Sequence, residues 1–252
     1  SPISGEVKLK ETEKGLEVKT SNPIVVYRET IMKESEEKEV RSPNKHNIFF
    51  IIVEPLEDNV YQYIKEGIIP EGRIKKKNEE MFKKFSELGW SGDEIRNIRE
   101  IYKGNMFLDK TRGEVHIGEV IEMIMDAFEQ VVNQGPLARE PCVKMKVSLV
   151  DTKLHEDAIH RGPAQVYPAV RDAMKEAMFS AQAVLFEPVQ IHLIECPMEF
   201  LGQVTKLIGG KRGQLLEVVQ DDMGVTVKAK IPVAEMIGWS SDLRSATEGR
   251  GG

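Results

Sequence analysis

Apolar residues along this chain fall into blocks with two different periods, separated by polar punctuation. After an ambiguous opening, Pro23 and the alternation in Ile24-Val25-Val26-Tyr27-Arg28-Glu29-Thr30 predict a strand, and the charged residues 33–41 predict a loop. Asn47-Ile48-Phe49-Phe50-Ile51-Ile52-Val53 is apolar almost throughout, which predicts a central strand covered on both faces. Between them, Arg41-Ser42-Pro43-Asn44-Lys45-His46 is a polar turn that should project from the end of a sheet. In residues 78–103, Met81, Phe82, Phe85 and Leu88, then Ile95, Ile98 and Tyr102, recur at helical steps. Two helices are predicted there, divided by Gly89-Trp90-Ser91-Gly92, with Ser91 capping the second. Residues 117–132 form the best amphipathic helix, with Val120, Ile121, Ile124, Met125, Phe128 and Val132 on one side. Residues 143–150 alternate as a half-buried strand, 151–162 are a polar loop, and a helix begins at Pro163 or Ala164. That helix turns Val166, Val170, Met174, Ala177 and Met178 to the core before a short strand at 183–186.

Glu187-Pro188 marks a change of pattern. Strand 190–195, helix 198–207, strands 214–219 and 225–231 and helix 240–246 follow, a β-α-β-β-α order. This is the split arrangement of a ferredoxin-like domain lacking its last strand, so an unpaired sheet edge is expected. The class is α+β, in three parts: residues 1–22 of uncertain role, a domain at 23–186 and a smaller one at 187–252.

Composition narrows the function. With 252 residues, 40% hydrophobic and 30% charged, the chain suits two domains each burying a core. It shows no run of eighteen apolar residues and no signal-peptide pattern at its start, so a cytoplasmic protein without membrane contact is expected. Cys142 and Cys196 are too few and too far apart for a disulfide framework or a four-thiolate zinc site, and read as small buried hydrophobes. A formal charge of -6 excludes a domain that coats nucleic acid electrostatically, so any RNA contact must be local. The densest basic run, residues 73–77, precedes a polar helix and reads as a solvated face.

The polar loops carry the candidate chemistry. His46 lies in the first, and His155 and His160 in the second, within Leu154-His155-Glu156-Asp157-Ala158-Ile159-His160-Arg161-Gly162-Pro163. The zinc-protease helix places its histidines four apart; here the spacing of five would splay them by about 140° at roughly 100° per residue. A zinc hydrolase is therefore disfavoured, and no metal or cofactor is expected. No nucleophile elbow occurs, and Gly209-Gly210-Lys211-Arg212-Gly213 lacks P-loop spacing and follows a helix, which makes it a C-cap and turn.

Ser42-Pro43-Asn44-Lys45-His46-Asn47 and Leu154-His155-Glu156-Asp157-Ala158-Ile159-His160-Arg161-Gly162 resemble signature segments of the elongation factor 2 family, in the same order. Residues 23–30, Lys211-Arg212-Gly213 and Asp242-Leu243-Arg244-Ser245 extend the likeness over nearly the whole chain. Gly162-Pro163-Ala164-Gln165 is similar to archaeal members. The resemblance implies that 23–186 is domain IV, of the ribosomal protein S5 domain 2-like fold, and that 187–252 is an incomplete domain V. It leaves 1–22 as a linker or a remnant of domain III, since Gly5-Glu6-Val7-Lys8-Leu9-Lys10 matches that domain's segment faintly. In that family the two loops form a tip that enters the small-subunit decoding site during translocation of tRNA and mRNA. The histidine matching His160 is converted to diphthamide and is the target of ADP-ribosylating toxins.

The resemblance thus implies tip contacts from Ser42, Pro43, Asn44, Lys45, His46, His155, Asp157, Arg161 and Gly162, with His160 modified by diphthamide biosynthesis enzymes. Arg41, Lys45 and Arg161 would meet phosphates, Asn44 would hydrogen-bond, and the imidazoles would stack or donate, without base readout. Asp157 and His155 would orient the loop, a plain loop-capping role for Asp157 being an equal alternative. GTP, its Mg²⁺ and the GTPase activity belong to other parts of such a factor, so this chain alone is not expected to be an enzyme. A paralogous ribosome-assembly GTPase and a self-standing interaction domain are the alternatives, the first disfavoured by the intact His160-Arg161-Gly162.

Overall fold

The computed structural model describes residues 6–11, 16–21, 27–76 and 78–247. Two compact units result, one from residues 28–186 and the other from 187–247 with the hairpin at 6–21. That hairpin is β1 (Glu6–Glu11) paired antiparallel with β2 (Leu16–Ser21).

The larger unit is built on a six-stranded sheet. Its strands are β4 (Lys38–Arg41), β5 (Ile48–Pro55), β6 (Gly72–Arg73), β7 (Ile98–Tyr102), β8 (Asn105–Asp109) and β9 (Met145–Lys153), in the order β4-β5-β9-β8-β7-β6. β8 and β9 run parallel and the other neighbours antiparallel. A separate ribbon pairs β3 (Arg28–Ile31) with β10 (Ala183–Phe186). The predicted strand at 24–30 thus begins later, at Arg28; residues 22–26 lie outside those described.

Among the described residues five α-helices complete this unit: α1 (Asp58–Lys65), α2 (Glu79–Glu87), α3 (Gly92–Arg96), α4 (Ile117–Asn133) and α5 (Pro163–Ser180). Each of α4 and α5 buries the face expected from its period. Ile121, Ile124 and Phe128 meet Val170, Met174 and Ala177 over Phe49, Ile51 and Val53 of β5 and Val147 and Leu149 of β9. A second core gathers Val60, Ile64, Met81, Phe85, Trp90 and Ile95 against Ile101, Met106 and Leu108. Strand alternation divides β8 between the two cores, Phe107 going to the first and Met106 and Leu108 to the second.

The structure corrects the sequence reading in several places. β5 is fully covered on one face alone, since Phe50 and Ile52 are half-buried. The loop expected over 33–41 ends in a strand, β4, whose charged Lys38-Glu39-Val40-Arg41 suits an edge position. The second helix of 78–103 stops at Arg96, after a capping box between Ser91 and Glu94, and Ile98 and Tyr102 lie on β7. The register of β7 shifts between Ile98 and Glu100, so Ile98 and Ile101 are both buried three residues apart, which imitates a helical step.

The basic run is a solvated face at Lys75 and Lys76 but not at Arg73. Arg73 reaches Glu122, Asp126, Glu129 at 2.6 Å and Glu100 at 3.6 Å, joining the sheet edge to α4, and Tyr167 donates to Asp126 at 2.6 Å. Lys75 and Lys76 are exposed.

In the smaller unit, β11 (Val189–Cys196), α6 (Leu201–Gly210), β12 (Gln214–Asp221), β13 (Gly224–Pro232) and α7 (Trp239–Ala246) follow the expected order. The helices cover Ile194, Val227, Ala229 and Ile231 with Val204, Ile208 and Leu243. The sheet order is β1-β2-β11-β13-β12. The expectation of an unpaired edge is therefore corrected at β11, where β2 pairs over His192, Leu193 and Ile194. That edge accepts any extended backbone of the right register, and the hairpin ahead of the larger unit supplies it. α6 ends at Gly210, and Arg212 turns the chain with φ +54°, as the C-cap reading requires. Both cysteines are buried, and desolvation pushes the Cys142 thiol up to about 12.

Glu29 ties β3 to the rest of the larger unit. Its carboxylate is fully buried and accepts from the backbone N–H of Leu137 (2.6 Å), Ala138 (3.3 Å) and Glu140 (2.8 Å). Gly135 fits there because a Cβ would lie 2.4 Å from the carboxyl carbon. Glu29→Ala leaves these donors unpaired, and chemical denaturation should show a loss of about 3 kcal/mol, with Glu29→Gln less damaging.

A second expectation concerns pH. Burial first and Glu129 second push the Glu100 carboxyl from the usual 4.5 up to about 8, against the pull of Arg73. The folded state then holds this proton more tightly than the unfolded chain does. Its contribution to stability is complete below pH 4.5 and is lost as pH rises toward about 8. Urea midpoints should fall across that window, and Glu100→Gln should flatten the fall.

Candidate functional site

The antiparallel pairing of β5 with β9 sets Ile48 opposite Lys153, so the loop entering β5 and the loop leaving β9 emerge side by side. The first loop is a tight turn in which the Lys45 N–H donates to the Ser42 carbonyl at 2.8 Å, and Lys45 adopts φ +64°. Buried Ser42 braces it, its hydroxyl donating to Asn44 Oδ1 at 2.6 Å and accepting from the Asn47 N–H at 3.0 Å. The second loop makes a single helical turn at Ala158–His160 and then enters α5, with Pro163 at its first position.

Two asparagines lock the loops together. Asn44 Nδ2 and Asn47 Nδ2 both donate to the His160 carbonyl, at 2.9 and 2.7 Å. Asn47 Oδ1 accepts from the His155 N–H at 3.0 Å, and the Asn44 N–H donates to Gln165 Oε1 of α5 at 2.8 Å. Asn47 is buried, and its amide uses both donors and its acceptor, since Nδ2 also reaches Ser42 Oγ at 3.1 Å.

The clamp brings the three histidines into one cluster. Ring centroids lie 4.9 Å apart for His46 and His155, 4.8 Å for His46 and His160, and 4.5 Å for His155 and His160. The Asp157 N–H donates to His155 Nδ1 at 2.9 Å, which places the neutral ring's proton on Nε2. Asp157 Oδ1 accepts from the Ile159 N–H at 3.1 Å, so the loop-capping alternative describes its side chain. His46 is exposed, and His155 and His160 are half-buried. Among the described residues no group of three or more His, Cys, Asp or Glu side chains could hold a metal ion.

Arg161 departs from expectation. It is 5% exposed, pairs with Glu119 of α4 and donates to the Glu156 carbonyl at 3.3 Å. The hydrogen bond from Arg161 holds the Glu119 carboxyl below the usual range. Arg161 is therefore an internal strut between the loop and α4, unable to meet a phosphate from its buried position. The exposed groups are Arg41, Pro43, Lys45, His46, Glu156, Asp157 and Ala158, with Ile159 apolar and 78% exposed. Gly162, half-buried, precedes the positive end of the α5 dipole.

Sequence reasoning did not single out Asn47, Gln165, Glu119 and Ile159 as site residues. Asn47 had a signal, an amide at the head of an otherwise apolar strand; Glu119 and Gln165 had none, because their partners are distant in the chain. Asn47→Ala removes the hydrogen bonds to His155 and one of those to His160. It should cost about 2 kcal/mol in denaturant titrations and speed amide exchange at His155, while Asn44→Ala costs less.

Comparison with known proteins points to one family of translation factors. The profile of elongation factor G, domain IV, matches residues 66–182, and that of the elongation factor G C-terminus matches residues 184–252. Elongation factor 2 of Nanoarchaeum equitans is 50% identical over 240 residues, covering 94% of this chain and 32% of that protein. Elongation factor 2 of Pyrococcus furiosus is 50% identical over 247 residues, covering 97% and 34%. For Elongation factor 2 of Methanosphaera stadtmanae the identity is 48% over 238 residues, covering 94% and 32%. The chain spans about a third of the length of these relatives. The chain thus matches elongation factor G domain IV followed by the elongation factor G C-terminus, and over 94–97% of its length it is similar to archaeal elongation factor 2.

Proposed function

We propose that the chain is the ribosome-probing part of a GTP-dependent elongation factor that promotes translocation of tRNA and mRNA. The observation that carries this reading is the convergence of His46, His155 and His160 on one loop pair clamped by Asn44 and Asn47. Such an end can enter the small-subunit decoding site and meet RNA by shape and backbone contacts, with Arg41 and Lys45 at phosphates. Base readout would hinder a factor that must move every codon alike.

In this reading His160 is the diphthamide acceptor. Its carbonyl is held from two sides while its half-buried ring stays accessible at the loop surface, so an added cationic arm gains reach without loosening the backbone. The modifying enzymes and ADP-ribosylating toxins are then partners of this end, and the protein acts in the cytoplasm. GTP and Mg²⁺ are used elsewhere in the full-length factor; this chain binds and positions. The larger unit corresponds to a ribosomal protein S5 domain 2-like fold and the smaller to a ferredoxin-like fold.

His160→Ala in the full-length factor should slow single-round translocation by at least ~10-fold, equivalent to about 1.4 kcal/mol of lost interaction. Intact mass of the peptide holding His160, after expression with the diphthamide pathway, should exceed the unmodified mass. A parental rate for the variant would sink the positioning role, and an unmodified peptide would sink the acceptor assignment.

A further inference from the structure

Outside the tip, the larger unit holds a cleft of about 460 Å³ between α2, α3 and the segment after β6. Ile74, Phe82 and Ile98 give it an apolar floor, and Lys75, Lys76, Arg96 and Arg99 surround it. None of its lining residues is acidic, in a chain whose formal charge is -6. These cations are loosely engaged. Arg96 meets Asp93 at 3.6 Å with both side chains mostly exposed, and Arg99 meets Asp109 at 4.0 Å. Lys75 and Lys76 have no hydrogen-bond or ion-pair partner among the described residues. The α2 N-terminus is already satisfied, since Asn78 Oδ1 accepts from the Glu80 and Met81 N–H groups at 3.1 and 3.2 Å. Side chains, not a helix end, therefore supply the positive potential.

We propose that this cleft binds one unstacked nucleotide of a single-stranded or looped RNA, its base on Phe82 and Ile74 and its flanking phosphates on Lys75, Lys76 and Arg96. Three features favour this occupant. The volume, about 460 Å³, falls in the range of a small-molecule pocket. Its floor includes the half-buried aromatic ring of Phe82, which offers a base a stacking partner. The rim is cationic on more than one element, which suits the two phosphates that flank any nucleotide. An acidic peptide would use the rim and leave the floor unpaired. The choice of RNA over other polyanions rests on the ribosomal reading above, but the cleft and the tip share no residue, so each can fail alone.

The test uses the full chain and fluorescein-labelled hexa-adenylate RNA at low salt. Lys75→Glu with Lys76→Glu should weaken binding at least ~10-fold, and Arg96→Glu, exposed and on another element, at least ~3-fold. Lys65→Glu with Lys206→Glu, an equal charge change elsewhere, should shift it by less than about 2-fold. An abasic hexamer of the same charge should bind at least ~5-fold more weakly than hexa-adenylate, which reports stacking. Phe82→Leu should weaken hexa-adenylate and leave the abasic strand unchanged, with circular dichroism confirming the fold of each variant. The proposal is overturned if the cleft variants bind like the parent, or if the abasic strand or hexaglutamate binds as well as hexa-adenylate. Loss of binding on Arg41→Glu with Lys45→Glu alone would assign RNA affinity to the tip and overturn the cleft. Loss on the cleft substitutions alone, with translocation intact in the full-length factor, would support the cleft and leave the tip reading to its own assay.

Discussion

The pairing of β5 with β9 is the constraint on which the site depends. Because Ile48 faces Lys153, the turn ahead of one strand and the loop after the other leave the sheet at the same end. A slip of one residue would turn the buried Phe49, Ile51 and Val53 away from the first core and bring Phe50, Ile52 and the Glu54 carboxylate to it, so the register is held by burial. The bulge between Phe50 and Ile51 absorbs the one place where the pairing changes step. Sheet packing thus delivers the two loops to each other, and the asparagine amides turn proximity into a fixed geometry.

That geometry is maintained by polar groups with few alternatives. Asn47 is buried beneath the histidines with every amide atom engaged, so its orientation is determined and it determines His160 in turn. Arg161 does the same from below by joining the loop to α4. The Arg73 cluster repeats the device at the opposite edge strand, tying β6 and β7 to the same helix. α4 is therefore braced at one end by Arg161 and further along by Arg73, so the loop pair rests on a helix that cannot easily tilt.

Elements with a single dominant period were legible in the sequence. α4, α5, β11, β13, α6 and α7 follow from it, since each buries one stripe against one neighbour, whereas β12 is exposed along its length. Legibility failed where the backbone breaks its own period, as in β7, whose bulge gives buried residues three apart. It also failed at β4, where charges mark an edge strand as readily as a loop, and at α1 and β8, which were not read at all. At the site, residue types were visible and partnerships were not. An arginine beside a functional histidine reads as a phosphate contact until a glutamate from a distant helix claims it, and nothing local to Arg161 announces Glu119.

This distinction decides where the molecule can meet a polyanion. Counting basic residues overstates the available charge, because Arg73, Lys146, Arg161, Lys211 and Arg212 are each engaged by carboxylates of the same chain. Among the described residues Arg41, Lys45, Lys75 and Lys76 have no such partner and are exposed. In a protein of charge -6, long-range attraction to a polyanion is weak, and any such binding would have to come from short-range contacts within about a Debye length, roughly 8 Å at physiological ionic strength. Cations concentrated at a projecting turn and around an apolar cleft satisfy that requirement, whereas the same number spread over an acidic surface would be neutralised in place.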